Sequence, residues 1–421
     1  MAIDANQAAL EEAAPRPAPA AHEIKRVLRT TCCIVGAGPA GVVLALLLAR
    51  KGIPVLLLEA HGDFEREFRG DTVHPSTLET LAELGIADRL LQLPHRKIRQ
   101  AQIPGDPPVT VGFDGLPTRF PFVAMMPQAR FLEFMTAEAA NYPSYRLAMG
   151  ASVRELIEED GIVRGVRFQT EDGWHEARAL LTVGADGRFS RLRHLSGLPA
   201  ISKSPPIDVL WFRLPRHTTD PEGAVGQIRP GHLLVMLDRG DVWQVAYVLP
   251  KGGYREVHAA GLPALHRTLV DLVPWLADRV DTQLTDWKQT FLLSVESDRL
   301  VRWYRPGLLL IGDAAHTMSP VGGVGINYAI QDAVAAANLL SDGLLAGRLS
   351  LRELAAVQRR REFPTRVIQT IQTQIQNRVL APALEAQRTG PQIVPLLARV
   401  PFLRRLPPRI MAMGIRTEHV R

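Results

Sequence analysis

Cysteine is almost absent from the 421-residue chain: there are two, Cys32 and Cys33, side by side in an apolar run. Neighbouring residues of a strand point to opposite faces, so a disulfide between them is disfavoured. A reducing, cytoplasmic compartment fits that usage. Lysine is scarce as well, with six among 49 basic residues, so the net charge of +6 rests on arginine. The arginines are spread along the chain without blocks, which speaks against nucleic acid as a partner. No window has the uninterrupted apolar length of a membrane span, which leaves peripheral contact as the one membrane option. There are no internal repeats. Low complexity is confined to an Ala/Pro/Glu-rich stretch from Met1 to about His22. That stretch lacks the apolar centre of a signal peptide and reads as a disordered extension. What remains is ordinary globular composition, 46% hydrophobic and 22% charged, enough for two domains or one large composite domain.

Along the chain, Thr31–Val35 is a short, apolar, β-branched run. Gly36-Ala37-Gly38-Pro39-Ala40-Gly41 follows, then an apolar helix to about Arg50, then a second run, Pro54–Leu58, closed by Glu59. This is strand, turn, helix, strand, acid. Asp71–Leu91 and Gln128–Asn141 read as helical, and residues 144–185 alternate as strands with a hairpin. Leu180–Val183 is a buried-type strand running into Gly184-Ala185-Asp186-Gly187. Residues 205–300 read as antiparallel sheet, with strand-like runs at Val209–Arg213, Leu233–Leu237 and Val242–Val248. The last two flank a turn over Asp238–Asp241. Leu308–Ile311 returns to the parallel-strand style and leads into a small-residue stretch, Gly312 to Asn327. From about Leu351 the chain reads as helical with breaks at prolines.

The first glycine cluster carries chemistry. Gly36 permits the tight turn, Gly38 lets a diphosphate approach the backbone, and Gly41 lets the helix pack on the strand. The amides at the helix start then face the phosphate charge. An acid at the end of the second strand, here Glu59, accepts hydrogen bonds from a ribose diol. These features mark a dinucleotide site without separating NAD from FAD.

Two further motifs make that separation: Gly184-Ala-Asp186-Gly187-Arg-Phe-Ser190-Arg-Leu-Arg193, and the stretch from Gly312 to Asn327. With all three in this order and at these spacings, the chain resembles the flavoprotein monooxygenases of the para-hydroxybenzoate hydroxylase type, from about Thr31 to Leu340. The resemblance implies an α/β fold. A Rossmann-like FAD-binding domain carries an inserted antiparallel β-sheet substrate domain and a helical C-terminal segment. It divides the chain into a disordered extension (1–30), three FAD-binding parts (31–100, 126–204 and 301–345), substrate-domain strands (101–125), a substrate sheet (205–300) and C-terminal helices (346–421).

It also implies roles. FAD would lie on Gly36, Gly38, Ala40, Gly41 and Glu59, with Arg69 and Gln128 helping to hold it. Asp186 and Gly187, followed by Ser190 and Arg193, would lie near the pyrophosphate. Gly312 and Asp313 would meet the ribityl chain, and Pro320 would lie near the isoalloxazine. Gly322, Gly323, Gly325, Ile326 and Asn327 would form a helix start facing the ring. A helix start aimed at the N1/C2=O locus stabilises negative charge on the reduced flavin. His316 belongs to the scaffold of this motif rather than to the chemistry. Tyr328-Ala329 stands where a glycine often follows, and is expected to reshape the pocket without blocking flavin.

The implied activity is insertion of one oxygen atom from O2 into an aromatic or other lipophilic small molecule. The route is a flavin C4a-hydroperoxide, with NADH or NADPH as transient electron donor. No second glycine motif follows a strand, so a dedicated nicotinamide domain is not expected; Arg188 and Arg193 are candidate contacts for that donor. No metal site is expected, and a monomer or homodimer fits. No side chain stands out as a required base, which leaves hydroxylation and epoxidation open. Trp211, Trp243 and Tyr247 are candidates for an apolar pocket wall, with core packing as the competing reading. Trp243 and Tyr247 share a strand face. His217 and His232 read as surface histidines. The tail from Val400 to Arg416 mixes bulky apolar residues with arginine. It reads as a helix docked on the flavin domain with its arginines reaching to solvent, and a lid or a membrane contact is the alternative. Reduction of a C=C bond on the same fold is the alternative activity. A halogenase is disfavoured, because no Trp-x-Trp-x-Ile-Pro run is present. A protein that merely holds FAD is a further option.

Overall fold

The computed structural model describes residues 22–65, 71–103, 109–385 and 409–421. Its larger sheet has five parallel strands: Leu308–Leu310, Gly173–Gly184, Ile24–Val35, Val55–Leu58 and Tyr145–Ala148, in that order across the sheet. The centre of this sheet is covered on both faces, which is why its strands are continuous apolar runs rather than alternating ones. Cys32 packs with the first helix on one face and Cys33 with Phe168 and Trp303 on the other. The two thiols therefore diverge as their adjacency implies. Burial holds the Cys33 thiol up at about 12 and Cys32 well above its ordinary value, so both are inert.

The first strand begins at Ile24, so residues 24–30 belong to the fold rather than to the extension assigned to 1–30. The cause is a long partner. Gly173–Gly184 forms a hairpin with Ile162–Thr170 and offers an edge that pairs Arg26 with His175 through Thr30 with Ala179. Paired backbone groups are worth keeping out of water only when each finds its bond, and here they do.

A second sheet has seven strands: Phe291–Ser294, Ile207–Pro215, Val242–Pro250, His232–Asp238, Ala224–Arg229, Gln100–Ile103 and Val109–Gly112. Residues 205–300 are not all sheet, however. Helices Tyr254–Ala260, Leu262–Leu272 and Ala277–Gln283 lie within them and cover one sheet face. Leu262, Leu265, Leu269 and Leu272 fall at helical spacing and supply the contact. Val123–Met125 also leaves the expected group. It pairs with Thr72–Val73 and Arg96–Ile98 in a small sheet of its own.

Two long helices complete the core, Gly325–Leu345 and Leu351–Ile375. The second starts on a capping box in which Ser350 and Glu353 satisfy each other's backbone N–H. It runs through Pro364, where a break was expected. Val357 and Ile368 are buried on either side of that proline, and this packing outweighs the one hydrogen bond that proline removes.

Candidate functional site

All three motifs lie at the carboxyl edge of the parallel sheet, where open α/β sheets place ligands. Gly36 takes φ +97°, and a Cβ on it would lie 2.5 Å from the Ala185 carbonyl oxygen and 2.6 Å from Asp186 Cα. A Cβ on Gly41 would fall 1.9 Å from the Gly36 oxygen. Gly36 and Gly41 therefore serve packing. Gly38, at the start of helix Pro39–Arg50, is different: its Cβ position has no protein atom nearer than 4.0 Å. Glu59 caps this loop, accepting from the Ala37 amide at 2.9 Å and pairing with the His61 ring at 2.7 Å. Burial raises the Glu59 pKa, but the hydrogen bonds from His61 and Ala37 outweigh it and hold the carboxyl below its ordinary value.

Asp186 accepts from the Ser190 hydroxyl at 2.5 Å and from the Leu192 amide at 3.0 Å. Burial nevertheless raises its pKa, with those bonds opposing. Gly187 follows at φ +80° with no atom near its Cβ position. Arg193, a candidate for the nicotinamide donor, is already engaged: it bonds Asp298 at 2.9 Å, and the same carboxylate oxygen takes the Thr317 amide. It braces the third motif instead. Arg188 is half-buried beside the well-exposed Phe189.

The third motif meets the first directly. A Cβ on Gly312 would lie 3.5 Å from the Ala40 methyl. Beneath the loop lies a buried charge cluster. Asp332 accepts from the Gly312 amide at 3.1 Å, from His316 Nε2 at 2.5 Å and from Arg361 Nε at 2.9 Å. Burial raises the Asp332 pKa, but His316 and Arg361 outweigh it and lower the net value. His316 is thus a scaffold group, its ring tilted at 42° to that of Trp303 with centroids 4.8 Å apart. Further on, Gly322 and Gly323 take φ +83° and +62°, and helix Gly325–Leu345 starts with no atom within 4 Å of the Gly325 Cβ position. The Gly323 carbonyl accepts from Thr72 at 3.1 Å. Asn327 accepts from the Thr77 hydroxyl at 2.7 Å, while its buried Nδ2 has no protein partner. Pro320 and Ile326 flank this turn. Open room at Gly38, Gly187 and Gly325, together with an unspent buried amide, fits a long dinucleotide laid across the edge from the first loop to the third.

Gln128 opens helix Gln128–Ala140, and its backbone N–H donates to Asp71 at 3.0 Å. Arg69 lies outside the described residues. Arg239, from the turn after His232–Asp238, reaches both Asp71 and Gln244 and so ties the second sheet to this helix start. Burial pulls Arg239 down to about 10, which leaves it charged at neutral pH.

The second sheet turns its other face to the site. Val209, Trp211, Leu233, Ala246 and Val248 line that face, with Val321 of the glycine-rich loop packed on it. Trp243 and Tyr247 do share a face, but it is the helix-covered one. Trp243 is fully buried and donates to Asp220 at 2.9 Å, and Tyr247 bonds His232 at 2.7 Å. They are core, and only Trp211 of the three aromatics fronts the site. His217 is half-exposed and paired with Asp278. Among the described tail residues, 409–421 dock on the flavin-side helices. Glu418 bonds Arg360 at 2.6 Å and Arg361 at 3.4 Å. The sequence offered no local signal for Asp71, His74, Asp332, Arg361 or Glu418, since each acts through partners far away in the chain.

A parallel sheet whose three neighbouring strands Leu308–Leu310, Gly173–Gly184 and Ile24–Val35 each run into a glycine-bearing loop at the carboxyl edge, with a second sheet over them, defines a flavoprotein of the aromatic-ring hydroxylase class. The chain belongs to the family of the FAD binding domain, whose model matches residues 29–370. It is 35% identical over 414 residues to 6-methylpretetramide 4-monooxygenase of Streptomyces rimosus, covering 97% of this chain and 96% of that one. It is 26% identical to squalene monooxygenase SE2 of Panax ginseng, across 73% of this chain and 57% of that one. Among solved structures, OxyS anhydrotetracycline hydroxylase from Streptomyces rimosus superposes with a TM-score of 0.74 at 23% identity, over 91% of this chain and 76% of that one. The myxobacterial chondrochloren halogenase CndH superposes at 0.73 with 20% identity, over 92% and 98%, which speaks to fold alone. The protein is an FAD-dependent monooxygenase acting with O2 on a small molecule, and NAD(P)H is the electron donor typical of its family. No helix among the described residues is long and apolar enough to cross a membrane.

Proposed function

We propose that this monooxygenase hydroxylates a flat polycyclic aromatic molecule of the tetracyclic polyketide kind. The observation that carries the reading is the 35% identity to 6-methylpretetramide 4-monooxygenase along nearly the whole of both chains. The geometry above supports this assignment of roles, and those of Arg69 and Asp313 rest on the family resemblance. Gly38, Ala40 and Glu59 would receive the adenosine diphosphate half of FAD on the loop that Gly36 and Gly41 shape by packing, with Arg69 and Gln128 helping to hold it as the resemblance implies. Asp186 and Gly187 border the pyrophosphate. Gly312 and Asp313 meet the ribityl chain, and Pro320, Gly322, Gly323, Gly325, Ile326 and Asn327 face the ring. When bound, FAD would supply the redox chemistry, accepting reducing equivalents from NAD(P)H and activating O2. The balance is substrate C–H, O2, NAD(P)H and a proton giving substrate C–OH, water and NAD(P)+. The chain's own part is to place the ring against the substrate, exclude water between the two sheets and aim the start of helix Gly325–Leu345 at developing negative charge.

The test is NAD(P)H consumption with 6-methylpretetramide and anhydrotetracycline under labelled O2. Stimulated consumption with one labelled oxygen in the product is expected. Turnover that persists anaerobically with a reduced product overturns oxygen transfer.

A further inference from the structure

We propose that the C-terminal turn at residues 409–413 is a wall of the substrate site, and that Met411 is the side chain through which it selects flat polycyclic ligands. The proposal rests on the reading of the chain as a hydroxylase of such molecules. The turn is wedged between the two halves of the site. Ile410 packs on Met318, Val324 and Tyr328 below the glycine-rich loop. Ala412 is fully buried, and Met413 packs beside it on a cluster that joins Ile98 to Leu237 of the second sheet. Met411 lies between these two contacts. A Cβ on Gly322 would sit 3.7 Å from Met411 Cε and 3.9 Å from its Cγ. The Met411 side chain is half-buried, with part of its surface left open.

The turn is held in place from several sides. His74 Nδ1 bonds the Met411 carbonyl at 2.8 Å. Arg361 bonds the Arg416 carbonyl, Arg360 and Arg361 bond Glu418, and Gln331 accepts the Glu418 amide. The Glu83 carboxylate takes the His419 ring and, at 2.7 Å, the Val420 amide. Asn338 donates to the His419 carbonyl at 2.7 Å. Two of these anchors, Gln331 and Asn338, lie on helix Gly325–Leu345, which starts at the glycine-rich loop, so the wall is tied to the same helix as the loop. A thioether suits the position. It is unbranched and polarizable, and it packs favourably against an aromatic ring. A fixed backbone carrying an adaptable side chain is a means of sorting planar ligands by width.

The experiment compares Met411→Trp, Met411→Ala and the exposed control Arg421→Trp as flavin-loaded proteins. Dissociation constants for anhydrotetracycline are read from flavin difference spectra. Filling the wall is expected to weaken binding about tenfold or more in Met411→Trp, by overpacking, with no change in Arg421→Trp. A second readout is independent of substrate. An indole against the ring is expected to displace the long-wavelength flavin band in Met411→Trp and not in the control. If the parent binds no tetracyclic probe, the substrate reading fails, and the band alone then decides the wall. If Met411→Trp does not fold, Met411→Ala decides: a higher dissociation constant at full flavin content supports the wall, and an unchanged one overturns it. Identical bands and constants in Met411→Trp and Arg421→Trp also overturn it.

Discussion

Alanine at Gly38 and alanine at Gly41 should have opposite consequences, although the two glycines share one short motif. Gly38 has φ −74° and ψ −179°, a conformation any residue adopts. Its Cβ position is clear of protein to 4.0 Å. Gly38→Ala should therefore leave the flavin-free fold intact, or stabilise it by about 0.4–1 kcal/mol through the lost freedom of the unfolded chain. The methyl group would occupy the approach of the diphosphate. Losing one charge-assisted amide–phosphate hydrogen bond costs about 1.5–3 kcal/mol, which is roughly 10- to 100-fold in the FAD dissociation constant. Gly41→Ala places its methyl 1.9 Å from the Gly36 oxygen, a backbone atom that yields only if helix and strand separate. Overpacking of that kind costs about 1–3 kcal/mol, felt before any cofactor is present. Thermal melts of the flavin-free proteins and fluorescence titration with FAD separate the two effects. A Gly38→Ala protein that binds FAD as tightly as the parent would refute the diphosphate role. A Gly41→Ala protein that melts with the parent would refute the packing role.

His74 is almost fully buried, and burial pulls its pKa from 6.5 to about 4, so folding favours the neutral ring. That contribution is complete above about pH 6.5 and is lost as pH falls toward about 4, at most about 3 kcal/mol. Melting temperatures over this window should fall more steeply for the parent than for His74→Gln, and parallel curves would contradict the assignment. Arg361→Met removes one partner of a buried carboxylate, since Arg361 is 1% and Asp332 0% exposed. About 3 kcal/mol of stability should go with it in denaturant unfolding, and an unchanged midpoint would count against the cluster. Trp243→Ala should cost about 3–5 kcal/mol as a core deletion, whereas Trp211→Ala should cost under about 1 kcal/mol. The Trp211→Ala change should appear instead in tetracyclic-probe binding, and the reverse pattern would mean the sheet faces are misassigned.

What could be read from the sequence is what the chain encodes over short distances. The motif Gly36 to Gly41 declares a strand, a turn and a helix within a dozen residues, and Glu59 completes it at the next strand end. The stretch from Gly312 to Asn327 is likewise self-contained. Period-2 spacing rightly put Trp243 and Tyr247 on one face, but it cannot say which face is covered. That was decided by helix Leu262–Leu272, whose own spacing was lost inside a segment read as sheet. The anchors of the site were beyond reach for a related reason. His74 meets Met411 across 337 residues, and Asp332 joins the loop of Gly312 and His316 to Arg361 of a later helix. The division has a functional side. The locally encoded motifs all concern the cofactor. The site-side face of the second sheet, on which Val321, Leu380 and Leu384 pack, and the C-terminal turn are set by long-range packing. Substrate preference should therefore respond to changes at Trp211 and Met411 while flavin binding stays in place, and it is to those surfaces that differences among relatives of this fold should be traced.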